Sequence, residues 1–247
     1  MASTSETGHA KNVANFEDLI SFCNGYGGSY NPSKAILQIG NLTMLHGNAQ
    51  NSITGVASSK TAFANATNAR QTGFDPLKKL CTRVVNALDA TDATDKLVKD
   101  AKSINNKIQG KRAGAKPKTA PAPGSEAAED KTISVSQQSY DALVDNFGKL
   151  IDLVGTEPTY TPNETELQIS TLQTNLGNLK ATNTAVINSY TNYSNSRITR
   201  DSILYGQTSG LVDVALEVKK YVKSVFGATS PQYKQVSKLE FKRPKKK

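Results

Sequence analysis

YNPSKAILQIGNL, residues 30–42, returns 130 positions later as YTPNETELQISTL, residues 160–172, with six identities in thirteen positions. The correspondence extends in both directions. Asn15-Phe16 with Leu19-Ile20 answers Asn146-Phe147 with Leu150-Ile151, and Arg70 falls opposite Arg200. After a shift of about eight residues, Val84, Leu88, Ala90-Thr91 and Val98 answer Val222, Phe226, Ala228-Thr229 and Val236, and Lys111-Arg112 answers Lys242-Arg243. Two copies are too few for a solenoid, which needs about three or more repeats to bury a continuous core. The chain therefore reads as a pseudo-symmetric pair of related halves.

Each half carries a helical pattern. In the second, Thr161, Pro162 and Glu164 have the order of an N-cap, a first-turn proline and a capping-box acid, which predicts a helix start there. Ile169, Leu172, Leu176, Leu179, Asn183, Val186, Tyr190 and Tyr193 follow in steps of three and four, a heptad seam that presents one stripe to a partner. Leu204, Thr208, Leu211, Ala215, Val218, Val222 and Val225 repeat the pattern. The first half answers with Ile39, Leu42, His46, Ala49, Ile53, Val56, Lys60 and Phe63, then Leu77, Leu80, Val84 and Leu88 after a start signal at Asp75-Pro76. Short amphipathic helices open the halves around residues 13–23 and 138–153.

The fold expected is all-α: tandem-duplicated antiparallel helical hairpins packed as a pseudo-twofold bundle. A helix of about 37 residues is roughly 55 Å long, so a lone hairpin would leave much of its seam wet. Two tethered three-helix bundles are the alternative. The expected boundaries are a disordered tail over 1–12, helical repeat 1 over 13–110, a Pro-, Ala- and Lys-rich linker over 111–134, helical repeat 2 over 135–241, and a basic tail over 242–247.

Charge is concentrated at one end. Ten of the 30 basic residues fall in 219–247, against the single acid Glu240, so the whole excess of +9 lies there. No apolar run approaches the roughly 20 residues that cross a bilayer, and no secretory leader pattern opens the chain, which points to a cytoplasmic protein. Cys23 and Cys81 are too few for a disulfide framework and read as buried thiols.

The strings SETGHAKNVANFEDLISFC, IQGKRAG and FGATSPQYKQVSKLEF together resemble a family of uncharacterised bacterial proteins, of Bacteroidota type and of similar length. The resemblance implies a bacterial setting and no mechanism.

Catalytic patterns are absent from the sequence. His9, assigned to the tail, and His46, on the first seam, have no His or Cys at metal-ligand spacing. Gly110-Lys111 lacks the leading glycine, the magnesium-binding hydroxyl and the strand of a phosphate loop, and GYGGSY at 25–30 reads as a turn. No catalytic, cofactor or metal residues are assigned, no cofactor is expected, and the chain reads as non-enzymatic.

Two functions remain. One is a helical structural or interaction protein, self-assembling or binding another protein through faces rich in Ser, Thr and Asn. The other is sequence-nonspecific binding of nucleic acid or another anionic surface through Lys111, Arg112, Lys116, Lys118, Lys242, Arg243, Lys245, Lys246 and Lys247, where lysines would release counterions from phosphates.

Overall fold

The computed structural model describes residues 6–111 and 138–244. Among them the chain is all-α, with eight α-helices and no strand: α1 Glu6–Gly25, α2 Ile39–Phe74, α3 Leu77–Asp89, α4 Asp95–Gln109, α5 Tyr140–Gly155, α6 Ile169–Tyr205, α7 Leu211–Phe226 and α8 Pro231–Ser237. The long helices α2 and α6 run to 36 and 37 residues, as their seams predict.

Three boundaries differ from expectation. The tail assigned to 1–12 is helical from Glu6 onward, because His9, Asn12 and Val13 are buried on one face of α1. The helix expected at Thr161 begins instead at Ile169. Tyr160 is the reason: its buried hydroxyl donates to the carbonyl of Leu167 at 3.0 Å, folding the segment back through a 3₁₀ turn at Thr165–Leu167. Tyr30 makes the same bond to Leu37 at 2.7 Å, ahead of a matching turn at Ala35–Leu37. At the other end, the basic tail drawn over 242–247 is bound to the body through Lys242 and Arg243. The linker drawn over 111–134 lies, apart from Lys111, outside the described residues.

Helix ends follow local chemistry. Thr94 and Ser139 have extended backbones and accept from Leu97 N and Ala142 N, capping α4 and α5, and Ser230 caps α8 through Tyr233 N. Gly110 closes α4 in the left-handed region at φ 75°, which a side chain would strain.

The chain divides into two compact units, residues 1–64 with 188–247 and residues 65–187. These do not follow the expected boundaries 13–110 and 135–241. The first unit combines α1 and residues 39–64 of α2 with residues 188–205 of α6, α7 and α8. The second combines residues 65–74 of α2, α3 and α4 with α5 and residues 169–187 of α6. The opening helix of each half packs on the closing helices of the other: α1 on α7 and α8, and α5 on α4 and α3. Each unit thus needs both halves of the sequence.

Each unit has its own core. In the first, Phe16, Leu19 and Leu42 meet Leu204, Leu211, Val214, Val218 and Val222, all fully buried. In the second, Phe147, Leu150 and Val154 of α5 meet Val84, Leu88, Ala101 and Ile108. The long helices contribute buried residues at sevenfold spacing, Leu42, Ala49 and Val56 on α2 and Leu172, Leu179 and Val186 on α6.

Candidate functional site

The long helices carry very little charge. Between residues 39 and 69 Lys60 is the single Lys, Arg, Asp or Glu, and between 169 and 196 it is Lys180. In the first unit, Phe63 of α2 meets Tyr190 and Tyr193 of α6, with ring centroids 5.5 and 6.3 Å apart. Beside them runs an open groove of about 600 Å³, lined by Asn48, Asn51, Ser52 and Gly55 of α2 and by Asn192, Asn195, Ser196, Thr199 and Ile203 of α6. Ser52 and Ser196 donate back to the carbonyls of Ala49 and Asn192, which leaves the asparagine amides to present donors and acceptors outward. Met44, Tyr190 and Ile198 stand exposed along the same helices, Ile198 at 65%. The groove lining is uncharged and hydrogen-bonding, with apolar side chains exposed along the same helices.

A second cleft, of about 520 Å³, lies in the second unit between α3 and the 159–167 segment, with Arg83, Asn86, Thr91 and Glu164 on its walls. Arg83 is tied to Glu166 there, so the cleft offers no uncommitted cation. Its arrangement suggests no reaction.

Nucleophiles and ligands are quiet. Burial pushes the thiols of Cys23 and Cys81 up to about 12, far from a reactive thiolate. His46 is partly buried with its Nε2 3.9 Å from Glu17, and among the described residues no three His, Cys, Asp or Glu side chains gather to hold a metal ion. No described helix is long and apolar enough to cross a membrane.

Of the nine basic residues singled out by the sequence, Arg112, Lys116, Lys118, Lys245, Lys246 and Lys247 lie outside the described residues. Lys111 is exposed just past α4. Lys242 pairs with Glu240 at 2.7 Å. Arg243 donates to Asp213 Oδ1 at 2.6 Å and to the carbonyl of Tyr205 at 2.9 Å, and this bond holds the Asp213 carboxyl below the usual range. Arg243 is therefore committed within the fold rather than presented to a phosphate.

Sequence reasoning missed the residues that hold this end of the chain. Asn12, 2% exposed, accepts from Lys242 N at 3.0 Å and donates to Lys242 O at 2.8 Å. Asn15 donates to Glu240 O at 2.7 Å, and Lys219 donates to Leu239 O. Asparagines on a buried helix face were the one available signal. His9, also buried, shares a 2.7 Å hydrogen bond with the Tyr205 hydroxyl, to which Asn12 donates at 3.3 Å.

Comparison with family models, with curated proteins and with solved structures returns no match.

Proposed function

We propose that the protein is a non-enzymatic helical scaffold that assembles with copies of itself through the exposed faces of α2 and α6. One observation carries the reading: two helices of 36 and 37 residues have long stretches bearing a single charge each, on which Met44 and Tyr190 are exposed, with Ile198 exposed just beyond the second stretch. Copies of a chain with net charge +9 repel one another wherever their lysines meet. The uncharged faces escape that penalty, and their Ser, Asn, Gly and Ala side chains allow close approach. Apolar residues exposed on such a face gain from being covered.

The internal correspondence belongs to the same reading. A duplication whose halves exchange their opening helices has the form of a two-chain assembly joined into one chain, with the heptad stripes as a coiled-coil seam. Two unpaired buried cysteines suit a reducing, cytoplasmic compartment. Polyanion binding is the weaker reading, because Arg243 is bonded to Asp213, Lys242 is paired with Glu240 at the surface, and its remaining support is the basic residues at 111–118 and 245–247.

Sedimentation velocity across a hundredfold concentration range tests self-assembly. Wild type is expected to associate, and Ile198→Glu combined with Met44→Glu to weaken association at least tenfold while retaining its helical circular dichroism. A wild-type monomer at every concentration refutes the scaffold.

A further inference from the structure

Residues 239–243, Leu-Glu-Phe-Lys-Arg, follow α8 as a strap without regular secondary structure, held against the first unit, and the manner of their attachment is that of a receptor holding a peptide. Three side chains read the main chain through four hydrogen bonds. Lys219 Nζ donates to Leu239 O, Asn15 Nδ2 to Glu240 O, and the Asn12 amide takes both the N–H and the C=O of Lys242. A side-chain amide that satisfies both groups of one residue recognises extended backbone whatever its side chain. Specificity comes from two anchors. The Phe241 ring meets Phe16 edge-on with centroids 6.5 Å apart under Lys219, and Arg243 bridges Asp213 and the Tyr205 carbonyl.

We propose that this groove between α1 and α7 is a peptide-binding site, filled by the chain's own strap in isolation and by the strap of a second copy in the assembly. The second copy is the occupant because every copy carries the peptide already seen to fit. The contacts made in cis and in trans are identical, so exchange changes only the effective concentration. A short tether supplies an effective concentration of order millimolar. Copies laid side by side supply a similar one, and the exchange then costs little. This inference rests on the self-assembly reading, yet it can fail separately from it.

Complementation provides the test. One full-length variant, Asn12→Ala with Asn15→Ala, keeps the strap and damages the groove. The other, Phe241→Ala with Arg243→Ala, keeps the groove and damages the strap. Ile198→Glu in both suppresses association through the long helices. Mixing them is expected to yield a one-to-one dimer by sedimentation velocity, tenfold or more enriched over either variant alone, and dispersed by a synthetic peptide of residues 238–244. No mixed dimer from two variants with intact helical signal overturns the proposal, while concentration-dependent association of wild type would still uphold the scaffold. Conversely, a mixed dimer alongside a strictly monomeric wild type upholds the groove and removes the scaffold.

If either variant loses its helices, unlabelled peptide is added to isotopically labelled wild type at about 10 mM, roughly ten times the tethered concentration. The backbone resonances of Phe241 and Lys242 are expected to move to unstructured positions as the strap is displaced. Unmoved resonances overturn the proposal.

Discussion

Tyr30 and Tyr160 show how much one side chain can decide. Each is buried, each donates its hydroxyl to a leucine carbonyl seven residues on, and each sets the connector ahead of a long helix. Tyr30→Phe and Tyr160→Phe should each lose roughly 1 kcal/mol of stability, since one partner is removed and a buried carbonyl is left short of a donor. Urea unfolding checks this, and a clear inequality between the two would show that the connectors do unlike work. The tyrosines were visible in the sequence as part of the repeated string, but their bonds were not, because a hydroxyl's partner seven residues away depends on the turn between them. The cysteines carry a pH prediction. Their thiols ionise near 12 in the folded protein and near 8.5 when unfolded, so the native state holds protons that the unfolded chain releases. Their contribution to stability is full below about pH 8.5 and declines as pH rises toward 12. Native protein at pH 8 should therefore resist thiol alkylation, with both cysteines reacting once urea unfolds the chain.

Individual helices obey their local signals unequally. α4 is bounded by Thr94, whose hydroxyl accepts from Leu97 N, and by Gly110 in the left-handed region. Thr94→Ala should cost about 1 kcal/mol by losing the cap. Gly110→Ala should cost at least as much, since the added Cβ is strained at φ 75° and would meet Gln138 at 2.9 Å. Thermal melts of the two variants check both expectations. α6 ignored an equally good signal at Thr161, Pro162 and Glu164, because the Tyr160 bond and the burial of Leu167 hold that segment in a different path. The lengths of α2 and α6 were legible from heptad spacing, since the 3.6-residue turn forces buried positions to recur at three and four. α8 and its strap were not, because a seven-residue helix followed by irregular chain has no periodicity to read.

At the scale of the molecule, the two compact units each draw helices from both halves of the chain. A protease site placed between residues 112 and 137 of the full-length protein offers a direct check. After cleavage the two fragments should co-elute as one species under native conditions and separate in denaturant. Fragments that part without denaturant would contradict the exchange of α1 and α5 between halves. Losing the large aromatic of either opening helix should weaken that cohesion. Phe16→Ala and Phe147→Ala each leave a fully buried site empty, at about 3–5 kcal/mol.

By itself the sequence determined that the chain is helical, that a thirteen-residue string returns 130 positions on with six identities, which stripes are apolar, and that its basic charge gathers in residues 219–247. Each follows from composition or from a period of the backbone, which is local. Only the tertiary structure decided which half completes which core, that Arg243 is held by Asp213, and that Asn12 grips the backbone of Lys242 230 positions away. An apolar stripe states that it must be covered but carries no label for its cover, and two similar halves offer nearly equal covers. The choice rests on packing between distant residues, where no periodicity reaches.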